Sequence, residues 1–568
     1  MNPKPKIQKS WKIAPEIPAD VSQALQNFSP FLRQLLYNRG IKDRESAFAY
    51  VSREFSTNTD PFQLQDMQTA VDLIHHTLES SGKIAIYGDY DVDGVTASSL
   101  LFEFFAALGV PPRVYIPSRF EEGYGLNVEA MEQLAGEGTQ LIITVDCGIR
   151  SAHEVTRARE LGMDVIVTDH HEPSVQLPPA NAVINAHRLD DNYPFKEFAG
   201  VGIAYKLLQA YLQRFPVAGL KTEDWLDLVA VGSVADIVPL SGENRSLVYK
   251  GLQKARQVTR QGLFSLSQVS RIRLDALTTV DIGFKIGPRL NASGRLESAL
   301  AAFNLLTSHD LRQAGELAQK LDSQNNQRQD IMESVITQTL ASPLLEDPET
   351  HVVFVYSPDF NEGVVGIAAS KVVDATYKPT IIGYEAETYV KASCRSIEGF
   401  DINAALDQCN DLLVKHGGHA AAAGLTIQKA NIPEFLQRMN RIALEVIGEP
   451  WPAPSLKIDM VINLEALTAQ DVPQIFQATE LLEPTGRTNP EALFCSLGCP
   501  ISNVSLTKDG KHLRFRVKAG QVDFPAIAFG FGNLAGTLPA RVDLAYTFSE
   551  NEYMGRRETQ LTVKDIKY

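Results

Sequence analysis

Ile84-Ala-Ile-Tyr-Gly-Asp-Tyr-Asp-Val-Asp-Gly-Val-Thr96 sets three carboxylates, Asp89, Asp91 and Asp93, at alternate positions directly after an apolar run. Folding alone does not ask for that arrangement. Like charges this close repel, and they are most easily accommodated around a cation. By itself the run reads equally well as an acidic turn. Two later clusters change the balance. Leu141-Ile-Ile-Thr-Val-Asp-Cys-Gly148 ends an apolar strand on Asp146, and Val165-Ile-Val-Thr-Asp-His-His171 ends another on Asp169, His170 and His171. Acidic and imidazole groups at successive strand ends converge on one edge of a parallel sheet, where α/β enzymes build their sites. The pattern points to a metal-dependent enzyme.

Outward from this region strands and helices alternate. Strands at 83–87, 113–116, 141–145 and 164–168, with helices at 95–108, 128–135 and 152–161, predict βαβ crossovers and a mainly parallel sheet. A mostly helical stretch runs from Gly202 to about Thr307. Leu311 to Leu340, with its Gln/Asn-rich face, reads as one long connecting helix. A second, smaller α/β region opens at Val352-Val-Phe-Val355 and ends near Gly448, and Pro450, Pro452 and Pro454 mark a boundary. The remainder carries short alternating runs such as Leu513-Arg-Phe-Arg-Val517 and Gln560-Leu-Thr-Val563, which predict a small β-barrel or sandwich. The expected division is a helical lead-in (1–60), a catalytic α/β domain (61–310), the connecting helix (311–342), a second α/β domain (343–450) and a β-rich domain (455–568).

At 568 residues the chain is too long for a single core. Its 44% hydrophobic and 21% charged residues are those of an ordinary soluble protein. No apolar run approaches the roughly 20 residues of a membrane span, and Met1-Asn-Pro-Lys-Pro-Lys6 lacks the apolar segment of a secretory signal. Cys147, Cys394, Cys409, Cys495 and Cys499 are scattered, with no Cys-x-x-Cys pair. That argues against a zinc ribbon or a disulfide framework and for a reducing cytoplasm. The net charge of −15 counts, at face value, against a polyanionic partner. Local basic surface matters more than the total, and a multi-carboxylate site is itself negative.

Taken together, Gly88-Asp-Tyr-Asp-Val-Asp-Gly94, Val145-Asp-Cys-Gly148, Asp169-His-His171, Ala235-Asp-Ile-Val-Pro239 and Gly417-Gly-His-Ala-Ala-Ala-Ala-Gly424 resemble, in order, the motifs of the DHH phosphoesterase superfamily and of its associated DHHA1-type domain. Within it, Ile116-Pro-Ser-Arg-Phe-Glu-Glu-Gly-Tyr-Gly125, Gly287-Pro-Arg-Leu-Asn-Ala-Ser-Gly-Arg295 and the terminal β-rich domain are similar to the RecJ-type exonucleases, which act 5′→3′ on single strands. The resemblance spans most of 60–568. It implies a parallel-sheet DHH domain, a DHHA1-type substrate-binding domain and an OB-like barrel. It also implies phosphodiester hydrolysis in recombination and repair, releasing 5′-mononucleotides, in company with a single-strand-binding protein and a RecQ-type helicase.

The residues support that chemistry in their own right. Asp91, Asp93, Asp146, His170 and Asp236 carry enough charge for two divalent ions, Mn²⁺ or Mg²⁺. Asp146 is the natural bridge, as its counterpart is in the family. Two ions roughly 4 Å apart activate a water and stabilise the attacking and leaving oxygens. Asp89 is a further ligand or a supporting acceptor, and His171 a donor to the phosphoryl oxygen or leaving group. Gly417, Gly418 and His419 suit a phosphate, because glycines let backbone N–H groups approach an anion. A Gly-rich turn before an Ala-rich helix is the plain alternative. Ser393 and Arg395 would serve the same phosphate. In the family this domain grips the substrate end, which would set polarity. Arg119, Tyr124, Arg289, Asn291 and Arg295 would line the path of the strand, with 287–295 read as a functional loop. Lys508, Lys511, His512, Arg514, Arg516 and Lys518 form a basic stripe suited to an OB-type groove, or equally to a solvated face.

Three segments depart from the family pattern. Phe360-Asn361 stands where Trp-His is usual, Lys371 where Arg is, and Pro484-Thr-Gly-Arg-Thr-Asn-Pro490 replaces Pro-Phe-Gly-x-Gly-Asn-Pro. All spare the metal ligands and touch substrate contacts, so processivity and substrate length stay open. The competing readings are a DHH hydrolase of short oligonucleotides or cyclic dinucleotides, which would not need residues 455–568, and a DNA-binding replication scaffold, which would not keep every ligand. A manganese pyrophosphatase would carry a His where Tyr87 stands. Residue types alone do not separate DNA from RNA.

Overall fold

Five parallel strands carry the chemistry. Ile84–Gly88, Leu141–Val145 and Asp164–Thr168 lie side by side, with Arg113–Tyr115 beyond the first and Ala182–Ile184 beyond the last. Ile84–Gly88 and Leu141–Val145 are buried throughout, because helices cover both faces of a parallel sheet. Alternation sends Ile84, Ile86, Leu141 and Ile143 into one core and Ala85, Tyr87, Ile142 and Val165 into the other. The chain crosses to one side of Ile84–Gly88 and then to the other, so the winding reverses there. A crevice opens at the carboxyl ends of strands flanking such a reversal. Asp89 and Asp146 are the first residues beyond those ends.

The computed structural model describes residues 7–53, 59–119, 122, 123, 125–553 and 556–568. The chain forms two units, one of 48–327 and 483–490, the other of 1–47, 328–482 and 491–568. The parallel sheet belongs to the first. Its helix expected at Val95 starts at Val92, because Asp91 caps it: Asp91 Oδ1 accepts from the N–H groups of Asp93 and Gly94 at 2.9 and 3.2 Å. The larger correction concerns 287–295, expected as a loop. It is the helix Gly287–Leu296, entered through a π-turn at Ile282–Ile286. Packing overrides its poor periodicity. Leu290 and Ala292 are buried, and Gly294 fits so closely against Tyr90 that a Cβ would lie 2.6 Å from its carbonyl oxygen. Leu311–Leu340 is a single helix, as expected.

In the other unit the strands Leu413–His419, Ala422–Gln428, Tyr389–Arg395, Thr380–Glu385 and Val353–Ser357 form a mixed sheet in that order, the last two parallel. The helix Glu362–Thr376 covers one face through Val364, Ala368 and Val372, and Ile432–Ile447 covers the other through Phe435, Met439 and Ile442. Gly417-Gly-His419 lies in a strand, and the alanines after it begin the partner strand of a hairpin rather than a helix. Pairing outweighs alanine's helical preference. The same unit contains a five-stranded barrel. Phe494–Leu506, Leu513–Ala519, Val522–Ala528, Arg556–Lys567 and Arg541–Tyr553 are neighbours in that order, and the last pairs back with the first. Leu513, Phe515 and Val517 point inward while Arg514 and Lys518 face solvent. The lead-in holds a strand besides its helices. Ser10–Ile13 runs parallel to Ser455–Ile458, and Trp11 Nε1 donates to Asp565 at 2.7 Å. Among the described residues no helix is long and apolar enough to cross a membrane.

The helix Leu226–Ala235, which delivers Asp236, is crossed by Gly242–Arg256 at Gly251, where a Cβ would lie 2.1 Å from the Leu226 carbonyl oxygen. Gly251→Ala is expected to cost about 1–3 kcal/mol. Gly315→Ala, with nothing within 4 Å, is expected to gain up to about 1 kcal/mol in the long helix. Thermal unfolding of the two variants should move in opposite directions.

Candidate metal centre

The three strand-end clusters and Asp236 meet in one place. His170 Nε2 stands 3.1 Å from Asp146 Oδ1, 3.7 Å from Asp93 Oδ2 and 3.6 Å from Asp236 Oδ2. Ligand atoms of Asp89, Asp91 and Asp146 lie within 4.8 Å of one another, as do those of Asp93, His170 and Asp236, and those of Asp146, His170 and His171. Each residue is set by its element. Asp91 uses one oxygen as a helix cap. Asp93, in the first turn, accepts from the N–H groups of Gly200 and Val201 at 2.5 and 2.8 Å, where the helix Gly200–Arg214 begins and its dipole favours a negative charge. Asp146 has φ +61°, a left-handed conformation that aspartate tolerates. Asp236 is the C-cap of Leu226–Ala235.

Burial, and then the charge of Asp91, pushes the carboxyls of Asp89 and Asp236 up to about 7. Asp93 and Asp146 are driven well above the usual range, first by burial and then by neighbouring carboxylates. Burial lowers His170 to about 4, which leaves a neutral ring with a lone pair to offer. Among the described residues, Asp89 Oδ1 and His170 Nε2 are buried with no hydrogen-bond partner. Orphaned acceptors amid crowded carboxylates fit a divalent cation, and a shell of oxygens with one imidazole suits Mn²⁺ or Mg²⁺. Asp169 has a different role. It accepts from the N–H groups of Ile149, His170 and His171 at 3.0, 2.7 and 3.1 Å and holds His171 Nδ1 at 2.7 Å. Burial opposes a charged His171, but the bond to Asp169 prevails and raises the ring to about 9.

The strand-path residues divide. Arg119 lies over the ring of Tyr90, 5.1 Å from its centroid, and its charge and that of Arg295 are felt there, beside Asp89. Tyr124, its expected aromatic companion, lies outside the described residues. Arg289 is engaged by Asp322 at 2.8 Å and by the Lys285 carbonyl at 2.9 Å. Asn291 is half-buried on the same helix. Tyr87 donates to the Gly125 carbonyl at 3.0 Å and accepts from Asn127.

In the second unit the register puts Ser393, Gly424 and Gly417 in one row across the sheet, with Arg395, Ala422 and His419 in the next row on the same face. The two glycines leave a bare floor, and nothing lies within 4 Å of a Cβ on Gly417. A cavity of about 340 Å³ stands over that floor, lined also by Lys391, Lys415, Thr426 and Glu362. Arg395 Nε donates to Ser370 at 3.1 Å, and its Nη2 fits against Gly366. Gly418, with φ +154° and a Cβ position 2.5 Å from Ala422 O, is required by the hairpin itself. On the barrel, Arg516 is paired with Asp523 and Glu558, which interrupts the basic stripe between Arg514 and Lys518.

Several contributors escape a reading of charged residues. The Gly200 and Val201 amides hold Asp93, and the only signal is Ala199-Gly-Val-Gly202 ahead of an apolar helix. Tyr90 sits inside the first motif, and Lys391 and Lys415 emerge only from cross-strand register. A Cβ on Gly200 would lie 2.6 Å from Asp146 Cβ and 2.9 Å from its Cα. Gly200→Ala is therefore expected to weaken Mn²⁺ binding at least about tenfold in calorimetric titration.

Residues 83–233 match the DHH family, N-terminal domain, 349–445 the DHHA1 domain and 458–565 the RecJ OB domain. The single-stranded-DNA-specific exonuclease RecJ of Bacillus subtilis is 36% identical over 544 residues, which cover 95% of this chain and 68% of that protein. Two crystal structures of RecJ from Thermus thermophilus, in complex with Mn²⁺ and with Mg²⁺, superpose with TM-scores of 0.83 and 0.78 at 30% and 29% identity, covering 99% of this chain and 80% and 79% of theirs. With three domain matches and a relative 36% identical across 95% of its length, the chain belongs to the RecJ family of DHH single-strand-specific exonucleases.

Proposed function

We propose that this protein hydrolyses single-stranded DNA from the 5′ end and releases 5′-mononucleotides. The observation that carries the reading is the pair of three-ligand groups, Asp89/Asp91/Asp146 and Asp93/His170/Asp236, built side by side at the reversal point of a parallel sheet. Asp146 lies between them and is the residue to be shared. Divalent ions held there, Mn²⁺ or Mg²⁺, supply a nucleophilic hydroxide at neutral pH and neutralise charge on the phosphoryl oxygens. The protein's share is placement. The Gly200 and Val201 amides and the Asp91 cap fix carboxylates that would otherwise repel one another. Asp169 holds the Nδ1 edge of His171 and keeps the ring charged, so that His171 would give a proton to the phosphoryl or leaving oxygen. Arg119 and Arg295, beside Tyr90, offer cations and an aromatic face to the strand.

Polarity would come from the second unit. Ser393, Arg395, Gly417 and His419 share a sheet face with a glycine floor, apt for a terminal 5′-phosphate. The barrel, with exposed Arg514 and Lys518, would hold the strand further along. Cooperation with a single-strand-binding protein and a RecQ-type helicase, in recombination and repair, belongs to the same reading. A hydrolase of short oligonucleotides would leave the barrel without a task.

With Mn²⁺ and strands labelled at either end, a 5′ label is expected to appear at once as mononucleotide while a 3′-labelled strand shortens progressively. Asp91→Ala should abolish both. Turnover confined to di- to pentanucleotides would contradict the assignment. Arg395→Ala is expected to reduce the preference for 5′-phosphorylated over 5′-hydroxyl strands about tenfold, the scale of one lost charge-assisted hydrogen bond. An unchanged preference would place the terminal phosphate elsewhere.

A further inference from the structure

One edge of the metal centre is not accounted for by the residues above. Asp236 ends its helix, and the next residue, Ile237, has φ +59°, unusual for a β-branched side chain. Such strain persists only where the surroundings enforce it. Arg487 Nη1 lies 3.5 Å from the Ile237 carbonyl oxygen, although the two are 250 positions apart in the chain. The segment Glu483–Pro490 folds with the catalytic unit and is anchored along its length. Arg53 Nε donates to the Glu483 carbonyl at 3.0 Å, Thr279 Oγ1 to that of Thr485 at 2.7 Å, and the Tyr50 hydroxyl to Asn489 at 2.7 Å. The Leu240 N–H donates to the carbonyl of Arg487 itself at 2.9 Å. Gly486 lies against Leu240, where a Cβ would be 2.7 Å from it.

This scaffold presents the Arg487 side chain to solvent, with its guanidinium at the carbonyl of the residue that follows Asp236. No carboxylate pairs with it among the described residues. One long bond to a carbonyl uses at most one of five guanidinium donors. A cation fixed beside a metal ligand, unpaired and with donors to spare, is built for an anion that arrives with the substrate. We propose that Arg487 binds a backbone phosphate of the DNA strand at the Asp236 edge of the metal centre. The inference rests on the exonuclease reading, and it gives a task to the segment that departs from the family's Pro-Phe-Gly-x-Gly-Asn-Pro pattern.

The test is steady-state hydrolysis of single-stranded DNA by the Mn²⁺-loaded enzyme over a KCl series, comparing wild type, Arg487→Gln and Arg487→Lys. A lost phosphate contact makes the slope of log kcat/KM against log [KCl] shallower by about 0.7 for a single strand. Arg487→Gln is expected to show that change, with KM raised about tenfold, kcat nearly unaltered, and melting and Mn²⁺ titration as in wild type. Arg487→Lys should retain the wild-type slope. A slope unchanged in Arg487→Gln, whatever the loss of rate, would overturn the proposal and reduce Arg487 to a cap on the Ile237 carbonyl. A wild-type enzyme inactive on single strands would overturn the exonuclease reading and this inference with it.

Discussion

Buried carboxylates in contact with one another are the constraint on which the catalytic unit is built. Asp89, Asp93, Asp146 and Asp236 are each pushed towards the neutral form by burial and then by neighbouring carboxylates, Asp91 among them in every case. A fold does not gather such groups unless something holds them against their repulsion. Backbone N–H groups do part of that work. The amides of Gly200 and Val201 fix Asp93, and the amides of Asp93 and Gly94 fix one oxygen of Asp91. What remains unpaired among the described residues, an oxygen of Asp89 and the Nε2 of His170, is left for cations. Glycines make the crowding possible. Gly200 against Asp146, Gly232 against Asp93 and Gly294 against Tyr90 each occupy a place that a Cβ would close.

The second unit uses glycine to a different end. Gly417 and Gly424, adjacent across the hairpin, clear a floor on a sheet face otherwise bordered by Lys391, Arg395, Lys415 and His419. In the first unit small residues let protein approach protein; here they keep protein away from where an anion would lie. The same residue type thus marks a tight junction in one place and a binding surface in the other, and only the surrounding geometry tells them apart.

Much of this was legible in the chain. Apolar runs, three of them ending in acids, made four of the five parallel strands legible, because strands buried on both faces need continuous hydrophobic sequence; the short edge strand Ala182–Ile184 was not expected. The barrel was legible from period-two runs such as Leu513–Val517. Segments governed by tertiary contact were not. Residues 287–295 lack helical periodicity, yet they form a helix because Gly294 and Leu290 pack on the first motif and the core. The alanines after His419 favour a helix locally and become a strand because the Tyr389–Arg395 strand is there to pair with. Arg487 reaches the Ile237 carbonyl across 250 positions, and no spacing rule connects such distant residues. The sequence assigns Asp169 no role of its own, and its oxygens are taken by amides and by His171.

The two proposed metal positions are joined into one centre through Asp146. Mn²⁺ titration of the wild type followed by electron paramagnetic resonance tests this junction most directly, with Asp146→Asn beside it. Two ions per chain giving a spin-coupled signal are expected, with loss of that coupling in the variant. One uncoupled ion per chain in the wild type would contradict a shared centre.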